Sequence, residues 1–143
     1  MIALRLIPVL ILALTGCKAE PPPIVAVTGQ VTLDGLPLPK VEVRFYPTAE
    51  SLPADYIGIA VTDDNGNYSL MTNNQSGACI GINKVTVEEG PPPEGMRDPN
   101  KFDRYKNTLK NRPIPTMYAS VASSPLEVTV TAGQSEYPLK LKR

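Results

Sequence analysis

Apolar and polar residues alternate every two positions in short runs of this sequence, and turn residues separate the runs. In the clearest run, Val41, Val43 and Phe45 alternate with charged residues. A period of two places alternate side chains on opposite faces of a strand, so one face of each run is predicted to be buried. Asp34–Gly35 and Asn65–Gly66 are typical turn signals, and the second predicts a hairpin.

Seven short strands are predicted, without a long helix. They span residues 25–33, 41–45, 56–62, 68–71, 80–88, 126–131 and 136–142. A length of 143 residues allows one ordinary domain. Short strands rich in Val, Thr and Tyr, separated by turns at regular intervals, favour an all-β, antiparallel, seven-stranded sandwich of Greek-key type.

A long proline-rich loop, from Gly90 to Pro125, precedes the last two predicted strands. It holds seven of the sixteen prolines and contains no alternating run. Loops of this length are typically functional. A short amphipathic helical turn in which Phe102, Tyr105 and Leu109 cover a sheet face or edge is favoured over a partner-binding surface. If the loop does bind a partner, Tyr105 and Tyr118 are the candidate contacts.

The first residues have the layout of a signal peptide. Arg5 precedes an apolar run from Leu6 to Leu14, which is followed by small residues. The run is about half of the ~20 residues that a membrane-spanning helix needs, and polar residues follow it closely. Residues 1–16 are therefore predicted to be a signal peptide that is removed on export.

Leu14, Thr15, Gly16 and Cys17 resemble a lipobox. In that motif the small residues fit the signal-peptidase cleft, and the cysteine thiol receives diacylglycerol. The resemblance implies an exported bacterial lipoprotein whose first mature residue is a lipidated Cys17. Several acyl chains suffice for stable membrane attachment, whereas a single chain is marginal.

The residues after the cysteine predict a tether and a location. Residues 17–24 include three consecutive prolines, which favour a stiff, extended spacer between the lipid and a domain at residues 25–143. Lys18 stands where an aspartate would indicate inner-membrane retention in some bacteria. The expected location is therefore extracytoplasmic and lipid-anchored in the cell envelope, with the outer membrane favoured.

The charge and residue inventory excludes several function classes. Lys+Arg and Asp+Glu are both 14, which argues against an electrostatic nucleic-acid binder. The absence of histidine excludes histidine-based acid/base catalysis and ordinary zinc sites. Ser120, Ser123 and Ser124 lie in a polar loop without a base beside them. The chain is predicted to be non-catalytic, with no metal and no cofactor.

For two further features, a structural role is favoured over a binding or reactive site. The acidic turn at residues 63–67 lacks an EF-hand's Gly and Glu, because Tyr68 and Asn74 occupy those positions. A hairpin turn is therefore favoured over a calcium site. Once Cys17 is lipidated, Cys79 has no disulfide partner, and a small buried hydrophobe is favoured over a reactive thiol.

A second resemblance rests on three stretches, GQVTLDGLPLPKVEVRF, VTDDNGNYSL and GINKVTVEE. They are similar to the carboxypeptidase regulatory-like, or transthyretin-like, domain family, and the similarity covers roughly residues 25–143. The end of the chain is similar to a form found among small bacterial lipoproteins, with Ile-Pro-x-x-Tyr at 114–118 and a final Val-x-Ala-Gly hairpin at 130–133. The resemblance implies a transthyretin-like fold. It implies no catalysis, because the hydrolase branch of the family depends on histidines and this chain has none. Cys79 is a departure from the family pattern, which has a small residue or proline at that position.

Two functions remain open at this stage. The leading hypothesis is a non-catalytic, lipid-anchored envelope module with a structural or protein-interaction role, whose partners are the membrane, through Cys17, and an envelope protein. The alternative is a binder of a small ligand, a glycan or a peptide. Its candidate stacking platforms are Tyr46, Tyr56, Tyr105, Tyr118 and Tyr137, although the absence of tryptophan weakens the glycan version.

Overall fold

The structure is a computed structural model that describes residues 16, 20–49, 52–90 and 114–143. These residues form short strands and two 3₁₀ turns, with no α-helix among them. The strands are β1 (Ile24–Val25), β2 (Thr28–Leu33), β3 (Leu36–Pro37), β4 (Val41–Pro47), β5 (Gly58–Val61), β6 (Asn67–Ser69), β7 (Met71–Thr72), β8 (Gln75–Ser76), β9 (Ala78–Cys79), β10 (Gly81–Glu89), β11 (Glu127–Val130) and β12 (Leu139–Leu141). The 3₁₀ turns are Ala54–Tyr56 and Thr116–Ala119. In these ranges no helix is long and apolar enough to span a membrane.

The strands form two main sheets and one short ribbon. The larger sheet has the order β11–β10–β4–β5–β7–β8, and its pairs are antiparallel. The smaller sheet has the order β12–β2–β3, with β6 also paired to β2. β1 and β9 form the ribbon. The all-β prediction is confirmed, and antiparallel pairs predominate as the alternation indicated. Strands β3, β8 and β9 were not predicted.

The last two strands belong to different sheets. β11 pairs with β10, whereas β12 pairs in parallel with β2 and places Leu139 opposite Val31. The closing hairpin that the family resemblance implied is therefore wrong. At the crossing, the Tyr137 hydroxyl accepts a hydrogen bond from the Thr131 amide at 2.9 Å, and the Tyr137 amide donates to the Thr28 carbonyl at 2.8 Å. These bonds hold the chain as it passes from the larger sheet to the smaller one.

The predicted hairpin at Asn65–Gly66 is present as a chain reversal, but its returning strand is shared between the sheets. Gly66 has a φ of +77°, and a Cβ atom there would lie 2.8 Å from the Val31 carbonyl oxygen, so this turn requires glycine. After the turn, β6 pairs with β2, and beyond Leu70 the chain continues as β7, which pairs with β5. The two sheets are therefore joined along this edge.

The alternation in β4 determines where the core lies. Val41, Val43 and Phe45 are fully buried, whereas Glu42 and Arg44 between them are partly exposed, as the sequence predicts. Burying a side chain of this size contributes roughly 1.5–3 kcal/mol. Across the two sheets, the fully buried large side chains are Val27, Val31, Leu33, Leu38, Val41, Val43, Phe45, Leu70, Val85, Val87, Val130 and Leu141.

The direction of β10 distinguishes the two ends of the sandwich. Gly81, at the start of β10, follows the β1–β9 ribbon, where the Ile80 amide donates to the Pro23 carbonyl at 2.9 Å. This end also contains the β4–β5 connection and the β11–β12 turn, and we call it the β1–β9 pole. Glu89, at the other end of β10, pairs with Val41. We call that end, which contains the β5–β6 turn, the opposite pole.

Candidate functional site

Most of the residues predicted to act at the membrane lie outside the described part of the chain. Leu14, Thr15 and Cys17 of the lipobox are among them, and Gly16 is described and exposed. The proposed helical turn around Tyr105 also lies outside the described ranges. The assignments of lipidation, cleavage and loop contact therefore stay predictions.

Tyr118, the other candidate partner contact, is part of the protein interior. Its side chain is only 3 % exposed. The hydroxyl donates to the Lys142 carbonyl at 3.0 Å and accepts from the Lys142 amide at 2.9 Å. Nearby, the Ser124 hydroxyl donates to the Val85 carbonyl at 2.5 Å. Residues 114–125 thus attach to both sheets, and Tyr118 packs the fold instead of facing a partner.

The tyrosines proposed as ligand platforms are distributed between core and surface. Tyr137 is 6 % exposed, and its hydroxyl donates to the Gln134 carbonyl at 3.2 Å. Like Tyr118, it has no free ring face to offer a ligand. Tyr46 and Tyr56 are partly exposed. Tyr68, which was not among the candidates, is buried, and its desolvation raises the pKa of its hydroxyl. The stacking hypothesis is therefore reduced to Tyr46 and Tyr56 within the described residues.

The acidic turn uses its first carboxylate to organise its own backbone. Asp63 Oδ1 accepts hydrogen bonds from the amides of Asn65 and Asn67, both at 2.9 Å. These bonds lower the pKa of Asp63, the Asn67 amide having the largest effect. Asp64 is 3.4 Å from the Lys40 ammonium. In the part of the chain that the structure describes, no cluster of three or more acidic or sulfur side chains that could hold a metal is found.

This turn predicts an acid dependence of stability. Because the folded-state pKa of Asp63 lies below its ordinary value of 3.8, its contribution is complete above that value and is lost as the pH falls through the lowered pKa. Asp63→Asn keeps an acceptor for the Asn65 and Asn67 amides but cannot be protonated. We expect the fall in unfolding free energy between neutral and acidic pH to be smaller in D63N, as measured by urea denaturation. Equal pH profiles in D63N and the parent protein would contradict this role.

Cys79 is a buried thiol, as the sequence favoured. It is fully buried, and its Sγ lies 3.9 Å from the Tyr56 carbonyl oxygen. Desolvation raises the pKa of the thiol, which disfavours the reactive thiolate. Cys79 is therefore a packing residue of the β1–β9 ribbon.

The outer face of the larger sheet carries exposed apolar side chains that the sequence did not identify as a site. Ile59, Val61 and Met71 are 42, 45 and 47 % exposed, and Ile59 lies opposite Met71 in the strand register. We call these three residues the outer strip. Their strands are adjacent in the sheet, so the three side chains share one surface.

A charged pair borders the outer strip. Arg44 lies opposite Ile59 in the register, and its Nε donates to Glu42 on the same face of β4. A hydrogen bond with Tyr46 is the main cause that raises the pKa of Arg44, with Glu42 adding to it and partial burial opposing it. The outer strip is thus flanked by the Glu42–Arg44 ion pair.

At the β1–β9 pole the outer strip ends in an open concavity of about 520 Å³. Ile59 and Met71 form one side of it, and the 3₁₀ turn with Ile57 and the β7–β8 turn form the rest. Its lining residues are Ala54, Asp55, Ile57, Ile59, Met71, Asn73 and Asn74. The concavity combines apolar walls with amide and carboxylate groups, which suits a polar ligand of modest size.

No protein-family model matches this chain. No curated protein and no solved structure matches it either.

Proposed function

We propose that this chain is a non-catalytic, lipid-anchored module of the bacterial cell envelope with a structural or protein-interaction role. On this proposal a signal peptide at residues 1–16 is removed, Cys17 is lipidated, and residues 17–24 tether a sandwich of Greek-key, transthyretin-like type. The lipobox supports the anchor. The β1 strand begins directly after Pro23, so the folded domain starts where the proline-rich tether ends.

The observation that carries the interaction role is the outer strip. Ile59, Val61 and Met71 each leave more than two fifths of their surface in water. A partner that covers them removes this apolar surface from water, which is the dominant favourable term in most protein association. The Glu42–Arg44 pair beside them provides the polar rim that typically surrounds an apolar interface centre.

The other surface charges favour such short-range contact over electrostatic attraction. Lys84 is 3.7 Å from Glu127, and Arg143 is 3.8 Å from Asp34. Exposed pairs of this kind contribute only ~0–1 kcal/mol to stability, and each pair largely cancels its own field at a distance. Recognition by this face therefore rests on shape and apolar contact.

A small-ligand role is the second candidate, and the 520 Å³ concavity is the observation that favours it. Asn73, Asn74 and Asp55 offer hydrogen-bonding groups beside Ile57, an arrangement compatible with a short peptide or a glycan. The concavity adjoins the outer strip, so the two candidate functions use neighbouring surfaces and can be separated by substitution.

The interaction role is tested by placing a photo-crosslinking amino acid at Val61 in cells that express the full chain, with Lys140 of the smaller sheet as the matched site. We expect a crosslinked protein at Val61 and none at Lys140. Met71→Lys is expected to reduce this crosslink at least several-fold, since a charge in a desolvated interface is costly. Leu36→Lys is the control, because Leu36 is 55 % exposed outside the outer strip.

Each result discriminates between the candidates. Loss of the crosslink in M71K but not in L36K supports an interface at the outer strip. Equal loss in both variants, or equal crosslinking at Val61 and Lys140, contradicts it. If no protein crosslinks at Val61 but a peptide or glycan binds, and Asn74→Ala weakens that binding, the small-ligand role replaces it.

A further inference from the structure

The N-terminal tether is fixed to one end of the sandwich. Ile24 and Val25 pair with Cys79 and Ala78, and the Pro23 carbonyl accepts from the Ile80 amide at 2.9 Å. The ribbon is closely packed, because a Cβ atom on Gly77 would lie 1.8 Å from the Val25 carbonyl oxygen. The chain therefore enters the folded domain only at the β1–β9 pole.

The length of the tether is comparable with the length of the domain. Residues 18–23 would span about 19 Å at ~3.1 Å per residue in the extended conformation that the prolines favour. β10 has nine residues and extends about 27 Å at ~3.4 Å per residue step. The opposite pole therefore lies a full strand length beyond the point where the tether attaches.

Charged residues are concentrated at the opposite pole. The described turns and strand ends of the opposite pole carry Asp34, Lys40, Asp63, Asp64, Glu88, Glu89, Lys142 and Arg143. Among the described turns of the β1–β9 pole, Asp55 and Glu136 are the charged residues, and the other residues, such as Asn73, Asn74 and Gln134, are neutral. A pole with few charges approaches a lipid interface at a lower desolvation cost than a pole with many.

We propose that the domain stands upright on the lipid surface, with the β1–β9 pole facing the headgroups and the opposite pole pointing away. This orientation rests on the proposed lipid anchor at Cys17. Gly90 and Ile114 flank residues 91–113, and Ile114 lies beside Val87–Glu89 near the end of β10. The upright orientation therefore places the attachment points of that segment farthest from the lipid, and leaves the outer strip uncovered on the side of the domain.

The test uses the lipidated protein in vesicles that contain nickel-chelating headgroups as a fluorescence quencher. Single fluorescent labels are attached in a Cys79→Ala background. Two variants, Ala54→Cys and Ala132→Cys, report on the β1–β9 pole, and two others, Leu36→Cys and Asp64→Cys, report on the opposite pole. Soluble nickel chelate controls for general accessibility of each label.

We expect the headgroup quencher to act several-fold more strongly at positions 54 and 132 than at 36 and 64, while soluble chelate quenches all four similarly. Equal headgroup quenching at both poles, or quenching at Asp64→Cys that matches Ala54→Cys, would show a domain lying on its side and would overturn the upright orientation. Flotation with the vesicles separates the two proposals. Protein that floats with equal quenching overturns the orientation alone, whereas protein that does not float overturns the anchor and the orientation together.

Discussion

Replacing Cys17 by serine is expected to abolish lipid attachment and to leave unprocessed precursor. A hydroxyl does not replace the thiol that receives diacylglycerol in a lipobox, and on the proposed maturation cleavage before residue 17 follows attachment of that lipid. Each buried methylene of an acyl chain contributes about 0.8 kcal/mol, so losing several chains removes stable membrane binding altogether. The measurement is incorporation of labelled palmitate, together with the electrophoretic size of the product.

The second cysteine provides the matched control for this experiment. Cys79 is buried in the β1–β9 ribbon and is not part of the lipobox, so Cys79→Ala is expected to retain full palmitate incorporation and normal processing. A Cys17→Ser protein that is cleaved normally and is still fully retained in the membrane would refute the anchoring proposal.

Replacing Phe45 by alanine is expected to lower the unfolding free energy by about 3–5 kcal/mol. The side chain is fully buried in β4, opposite Val85 on one neighbour and Gly58 on the other, and its ring centroid lies 6.2 Å from that of Tyr68. Truncation leaves a cavity that rigid neighbouring strands cannot fill. Since small domains are stable by only ~5–15 kcal/mol, much of the total is lost. Urea denaturation of a protein without residues 1–17 measures the change.

Tyr46→Ala is the control, because Tyr46 follows Phe45 directly and lies on the outer, partly exposed face of β4. Its truncation is expected to cost roughly 1 kcal/mol or less. Similar losses of unfolding free energy in F45A and Y46A would contradict the assignment of Phe45 to the buried face of β4 and Tyr46 to the outer face. A shift of one residue exchanges the buried and exposed faces of a strand.

Local sequence was enough to predict which side chains of β4 point into the core and where the turn at Asn65–Gly66 lies. The outer strip could not be predicted in this way, since the β5 segment is apolar on both faces. Its inward residues are the small ones: Gly58 packs so closely that a Cβ atom would lie 3.0 Å from the Thr72 hydroxyl, and Ala60 is 8 % exposed. The larger Ile59 and Val61 are therefore left outside, against the expectation that the larger apolar residues are buried.

The remaining differences between the sequence-based predictions and the structure come from contacts between distant parts of the chain. Tyr118 looks like a surface residue in a proline-rich loop, and its burial depends on the backbone of Lys142, which is remote in sequence. The pairing of β12 with β2 joins the last strand to the second, and nothing in the local alternation of either strand specifies that partner. Sheet membership is set by how the whole core closes, which a local pattern does not contain.

The parallel pairing of β2 with β12 has a mechanical consequence. β2 is connected to the tether, and β12 ends near the chain's C-terminus, so a pull on the anchor and an opposing pull at the opposite pole would act along these strands in opposite directions. Such a load is a shear, in which the hydrogen bonds between Leu139–Leu141 and Val31–Leu33 bear force together. Unzipping, by contrast, would break them one after another. If the chain is anchored as proposed, the fold resists tension between the lipid and a load applied to the residues after β12.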